Sequence, residues 1–277
     1  MCRSDSTTFL DLDGETSIHV VHHAPEGGKA TFVFLNSMGA NTRVWEERHA
    51  PDLRARGYGT LSFDYRGQGR TRFGPEATLT PPEIISDIRQ VLSALAPRRP
   101  VLVGLSIGGL FGASALLAGA RAEGLVLINT LRKQNAQVEW INTLEERLIG
   151  IGGMPLVLDV LRPMLSGVDQ LEKMRSAHLP EDGYTPWPDD HPRRRLAEGV
   201  KQARWDIPWQ DLDLPVLVMT GLHDRLFRIQ ADVDELVALL PDAQVVTYED
   251  GGHSLQAEHP ERFVADLVAF AERQGMA

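Results

Sequence analysis

The apolar positions of this 277-residue chain fall into two rhythms. Short apolar runs, as expected of strands buried on both faces, recur at 31–35, 101–105, 125–130 and 215–221, and 60–64 and 243–248 read as further strands. Between the runs lie stretches with helical spacing. Residues 83–95 repeat apolar side chains every three or four positions, with Pro81-Pro82 ahead of the first turn and Pro97 beyond the last. Residues 110–120 read as a helix whose small Gly112, Ala113 and Ala115 allow close packing, and 261–271 read as a closing helix. Residues 9–24 behave differently, because the alternation Ser17-Ile-His-Val-Val-His suits one or two partly exposed antiparallel strands at an edge. Strand and helix alternate to about residue 130, which implies right-handed parallel crossovers. From 131 to about 208 the pattern turns to helical stretches broken by Gly150, Gly152-Gly153, Pro155, Pro163 and Gly167, with a turn-rich, ordered loop at 180–192. The pattern therefore predicts an α/β fold: a mostly parallel, doubly wound sheet from residues 1–130 and 209–277, with a helical cap inserted at 131–208. No internal repeat is evident.

The run at 101–105 leads straight into Gly104-Leu-Ser106-Ile-Gly108-Gly109. A serine on a sharp strand-to-helix turn is held in a strained backbone conformation that leaves no room two residues before or after it, hence the glycines. The strain lifts the hydroxyl clear of the sheet, and the helix beginning beneath it points its N–H groups upward. The pattern marks Ser106 as a nucleophile, which then requires a base and an acid. Three residues past the glycine that ends the strand at 215–221 stands Asp224, and past the strand at 243–248 stands Glu249-Asp250-Gly251-Gly252-His253. Ligands in open parallel sheets bind at the carboxyl ends of the strands, where these three residues can converge. Asp64 is better suited to organising the turn Tyr65 to Gly69, and Asn129 and Thr130, after the strand at 125–130, cannot supply a carboxylate. His223 adjoins Asp224 and points elsewhere, while His259 precedes Pro260 at a surface capping position. His22-His23, His178 and His191 have no ligand cluster around them, so no metal is expected. A strand at 31–35 followed by Asn36-Ser37-Met38-Gly39 completes the set, with the N–H groups of Met38 and Ile107 as the expected oxyanion hole.

These motifs together resemble the α/β-hydrolase superfamily over essentially the whole chain: Asn36 to Gly39, Asp64 to Gly69, Gly104 to Gly109, Gly221 to Asp224 and Gly251 to His253. A narrower resemblance is to the 3-oxoadipate enol-lactone hydrolases and the carboxylesterase-like subgroup. It is carried by Asn36-Ser37 where His-Gly is usual, by Asn129-Thr130, and by the tryptophan-bearing first cap helix from Trp140 to Arg147. The resemblance implies an α/β-hydrolase fold and a Ser106–His253–Asp224 triad without cofactor. Leu131-Arg132-Lys133-Gln134 departs from it, replacing a smaller and less charged segment.

Composition narrows the partners. A formal net charge of −10 argues against a nucleic-acid polyanion. The single cysteine, Cys2, excludes an intrachain disulfide. The first residues lack the apolar stretch of a signal peptide, and no apolar run reads as long enough to span a bilayer, so the expected location is the cytoplasm and no membrane partner is expected. Arg193-Arg194-Arg195 reads as a solvated helix start. The expected partner is a small-molecule substrate, with the chain a monomer or homodimer. Trp140, Trp187, Trp205 and Trp209 lie in or beside the cap, mostly as packing. Ser37, Arg132, Lys133 and Trp140 are the candidate substrate contacts, with Arg132 or Lys133 either binding a substrate carboxylate or facing solvent at a cap hinge. The expected reaction is hydrolysis of an ester or lactone through an acyl-serine. A carbon–carbon hydrolase of vinylogous diketones, a thioesterase or acyltransferase, and a non-catalytic ligand receptor are the alternatives.

Overall fold

The computed structural model describes residues 7–131, 133–175 and 183–277. Its eight strands are β1 (Thr7–Asp11), β2 (Ser17–His23), β3 (Thr31–Leu35), β4 (Gly59–Phe63), β5 (Pro100–Leu105), β6 (Gly124–Ile128), β7 (Val216–Gly221) and β8 (Ala243–Tyr248). They form one sheet in the order β1-β2-β4-β3-β5-β6-β7-β8. The strands from β3 to β7 are covered on both faces, whereas β8, at the sheet's edge, leaves Val245 exposed. Pairing is antiparallel for β1 with β2 and for β2 with β4, and parallel for the rest. Alternate side chains divide between two cores, as the period of two demands. Val33, Leu35, Leu102, Leu125 and Leu127 pack with α3 (Pro81–Leu95) and α4 (Ile107–Leu117). Phe32, Phe34, Val101, Val103, Val126 and Ile128 pack on the other face with α1 (Arg43–Glu46), α2 (His49–Ala55) and α10 (Pro260–Arg273).

Helix α4 starts at Ile107, earlier than its apolar spacing predicts. Gly108 and Gly109 read as turn residues by propensity, yet here they are helical, and glycine is required at both because the neighbouring chain leaves no space for a side chain. A Cβ on Gly108 would lie 2.5 Å from Leu35 O, and one on Gly109 would lie 2.0 Å from Thr130 Oγ1. Helices α1, α2 and α8 (Gln230–Leu239) have no counterpart in the pattern-based expectation.

Between β6 and β7 the chain forms α5 (Ala136–Leu165), α6 (Val168–Lys173) and α7 (Pro192–Val200), with no strand among the described residues. Of the expected breakers, one acts inside α5: Gly153, at φ 66° and ψ −167°, splits the element in two. Pro155 then falls in the first turn of the second half, where its missing N–H costs nothing. Helix α5 also corrects the expectation of no membrane-length apolar run. By length and composition alone it is long and apolar enough, with an 18-residue window of mean hydropathy 1.5. Charged residues such as Asp159 and Arg162 interrupt the apolar spacing, so no unbroken apolar run of that length is present in it. The inner stripe of α5, through Ile141, Ile149, Val157 and Leu161, is buried with Leu226 and with partly buried Met154, Trp187 and Phe227. The turn-rich segment beyond α6 is described only from residue 183, so its first residues, and His178, lie outside the described residues.

Candidate active site

Five loops follow the carboxyl ends of parallel strands and meet there. Ser106, directly after β5, sits at φ 55° and ψ −123°. An L-residue held at such angles costs of order 1–3 kcal/mol, so the surroundings must enforce it. A Cβ on Gly104 would lie 2.3 Å from Gly109 N. The serine N–H donates to Ile128 O at 2.7 Å, and Thr130 Oγ1 donates to Ser106 O at 2.9 Å. Both ends of the peptide are therefore held from the end of β6.

After β7, the Asp224 carboxylate is 2% exposed and accepts through Oδ1 from Phe227 N–H at 3.0 Å and from Leu226 N–H at 3.3 Å. Its Oδ2 lies 2.6 Å from His253 Nδ1, on the loop after β8. An ionised carboxylate only accepts, so the shared proton resides on Nδ1 and Nε2 is left as the acceptor. Phe227 stacks obliquely on the imidazole with ring centres 5.1 Å apart. Ser106 Oγ makes no hydrogen bond to a described residue, so the structure brings the serine, histidine and aspartate loops together and closes the His253–Asp224 link alone.

Asn129 ties these loops to one another. Its backbone is left-handed at φ 44°, its side chain buried. Oδ1 accepts from Gly221 N–H at 3.0 Å, and Nδ2 donates to Gly252 O at 3.0 Å and to His253 O at 2.8 Å. Sequence reasoning set Asn129 and Thr130 aside for lacking a carboxylate and missed that they hold the serine and histidine loops. The signal available was an amide and a hydroxyl directly after a buried strand, at the sheet's ligand edge.

At the end of β3, Asn36 is fully buried: its Nδ2 donates to Phe63 O at 2.9 Å, and its Oδ1 accepts from Trp45 Nε1 at 2.8 Å. Ser37 O accepts from Gln68 Nε2 at 2.9 Å, which shapes the loop carrying Met38. The N–H groups of Met38 and Ile107 have no acceptor among the described residues; that of Ile107 opens α4. Gly39, at φ 74°, would bring a Cβ to 3.8 Å from Met154 in α5, so the insertion overhangs this loop. Asp64 is wholly buried, accepting from Thr42 N–H, Arg70 N–H and His19 Nδ1 at 2.7, 2.9 and 2.8 Å. It binds loops together and stands apart from Ser106.

Two expected substrate contacts are placed elsewhere. The Lys133 ammonium is paired with Glu235 at 2.9 Å and Asp232 at 3.3 Å on α8, which raises its pKa and leaves it committed to that helix. Trp140 is 79% exposed on the outer side of α5. Adjacency in sequence does not bring either to the site: helical periodicity turns residue 140 away from the buried stripe of Val138 and Ile141, and Lys133, ahead of the helix, is drawn to the carboxylates of α8. Arg132 lies outside the described residues.

The sequence matches the profile of the alpha/beta hydrolase family over residues 32–267. The chain belongs to that family. Among relatives of this hydrolase, the pimeloyl-[acyl-carrier protein] methyl ester esterase of Pectobacterium atrosepticum is 25% identical over 268 residues, covering 88% of this chain and 95% of the relative. A protein of Variovorax paradoxus named as a carbamate hydrolase, RutD, is 36% identical over 121 residues, a match spanning 43% of this chain and 44% of the relative. The enol-lactonase from Burkholderia xenovorans superposes with a TM-score of 0.77 at 23% identity, over 96% of this chain and 100% of that one. An esterase from Exiguobacterium antarcticum superposes at 0.79 with 19% identity, over 96% and 99%. At these identities the two structures speak for the fold.

Proposed function

We propose that this hydrolase cleaves an ester or lactone bond of a small organic substrate through an acyl-serine at Ser106. The observation that carries the reading is the strained serine at the mouth of α4, tied through Asn129 and Thr130 to a His253–Asp224 pair at 2.6 Å. His253 Nε2 takes the Ser106 proton as Oγ attacks the carbonyl carbon, and Asp224 fixes the tautomer and stabilises the imidazolium. Catalytic hydrogen bonds are commonly loose before substrate binds, so the open Oγ–Nε2 link fits a resting site. The tetrahedral oxyanion lies between the N–H groups of Met38 and Ile107, whose lack of acceptors leaves them for this task; one such donor is worth roughly 3–4 kcal/mol in the transition state. The imidazolium protonates the leaving oxygen, and water activated by His253 then releases the acid. The names of the two relatives, one a methyl ester esterase and one a carbamate hydrolase, fit an acyl carbonyl as the group attacked.

The test is turnover of p-nitrophenyl acetate and of small lactones by the wild type and by Ser106→Ala, with fluorophosphonate labelling of both. The variant should lose on the order of 10^4-fold or more in kcat and all labelling while staying folded. Comparable rates in the two proteins would refute the assignment.

A further inference from the structure

The insertion and the loop bearing His253 are clasped by backbone bonds gathered at one buried carboxylate. His253 N–H donates to Leu165 O, on the last residue of α5, at 2.6 Å. On either side of that contact, Gly252 N–H and Gly167 N–H both donate to Glu258 Oε2, at 3.0 and 2.9 Å. Glu258 lies in α9 (Leu255–Glu258) and is 8% exposed. The fit is tight on both strands of the clasp. A Cβ on Gly252 would lie 2.2 Å from Leu165 O, and one on Gly167 would lie 2.2 Å from Asp250 O. The acid loop joins the same junction, since Arg225 N–H donates to Met164 O at 2.9 Å.

A carboxylate is an expensive group to bury for packing alone, and Glu258 Oε1 has no hydrogen-bond partner among the described residues. Its one used oxygen instead orients two N–H groups, one adjoining His253 and one at the exit of α5. We infer that Glu258 is a positioning residue: it staples the insertion to the histidine loop and so sets where the His253 imidazole stands relative to Asp224 and Ser106. The inference rests on the reading of His253 as the base. It follows that the α5 exit and the histidine loop are held as one unit.

The experiment compares Glu258→Ala and Glu258→Gln with wild type by three readouts: thermal unfolding, kcat and KM for p-nitrophenyl acetate across pH, and the low-field NMR signal of the His253 Nδ1 proton. Glutamine keeps one oxygen able to accept both N–H groups. Glu258→Ala should broaden or shift the low-field proton, lower kcat about ten-fold with KM within two-fold, and move the acidic limb of the pH–rate profile. Glu258→Gln should stay within about two-fold of wild type with the proton signal in place. A folded Glu258→Ala that keeps both the signal and kcat overturns the inference, as does Glu258→Gln damaged equally. If Glu258→Ala does not fold, Glu258→Asp decides, since a carboxylate one methylene shorter cannot span both donors; an unchanged signal there also overturns it. A wild type that is inactive yet shows the low-field proton would refute the hydrolytic reading while the NMR comparison still decides this one.

Discussion

Replacing Asn129 by alanine removes one acceptor and two donated bonds from the middle of the site. Gly221 N–H is left buried without its partner, at a cost of about 1–3 kcal/mol, and the carbonyls of Gly252 and His253 lose bonds worth about 0.5–1.5 kcal/mol each. Alanine is also less tolerant than asparagine of φ 44°, adding about 1 kcal/mol. The expected loss is about 3–7 kcal/mol. In urea this should appear as a lower midpoint at unchanged slope, equivalent to about 6–14 °C in Tm for a chain of this size. Asn129→Gly loses the same bonds without the backbone strain and should be about 1 kcal/mol milder. Both variants should also lower kcat for an ester beyond the effect of the unfolded fraction, because the carbonyl of His253 is no longer held. An Asn129→Ala protein within 0.5 kcal/mol of wild type would refute the idea that this amide organises the site.

Further tests follow from the same geometry. Gly108→Ala should fail to fold or lose more than 3 kcal/mol by chemical denaturation, because its Cβ would stand 2.5 and 2.7 Å from the carbonyl oxygens of Leu35 and Asn36. Lys133→Ala should leave KM for carboxylated and neutral esters within two-fold of wild type, since the ammonium already serves Asp232 and Glu235; a selective rise for the carboxylated ester would restore it as a substrate contact. His49, held edge-on to Phe263 with ring centres 5.2 Å apart, has its pKa pushed down to about 4 by burial and then by Arg48. Between pH 6.5 and about 4 the unfolded chain binds a proton there that the folded chain refuses, so stability should fall as pH is lowered through that window, by at most about 3 kcal/mol, and level off below it. Urea titrations at several pH values would check this, with His49→Gln expected to flatten that part of the profile.

What the amino-acid order determined by itself is local or periodic. Two-sided burial of β3, β5, β6 and β7 shows as apolar runs, whereas the alternation at β2 misleads: β2 lies between β1 and β4 with Ile18 to Val21 all buried, and on that side of the sheet β1 is the edge. The turn at Ser106 is written in Gly104 and Gly108, since crowding around a strained residue acts over a few positions. Asp224 and His253 could be singled out because a doubly wound sheet carries its chemistry at the strand ends.

Only the folded chain decided the rest. Asn129 reaches His253 across 124 positions and Glu258 reaches Gly167 across 91, and no periodicity encodes such a bond. Helix α5 likewise owes its place to partners far away, at Leu226 and Gly39, while its own prolines and glycines argued for interruption. Lys133 and Trp140 lie beside the site in sequence and away from it in space, because side-chain direction depends on which face the tertiary contacts bury. Long-range polar ties carry free energy without leaving a local pattern, and here they hold the loops that bring Ser106, Asp224 and His253 to one edge of the sheet.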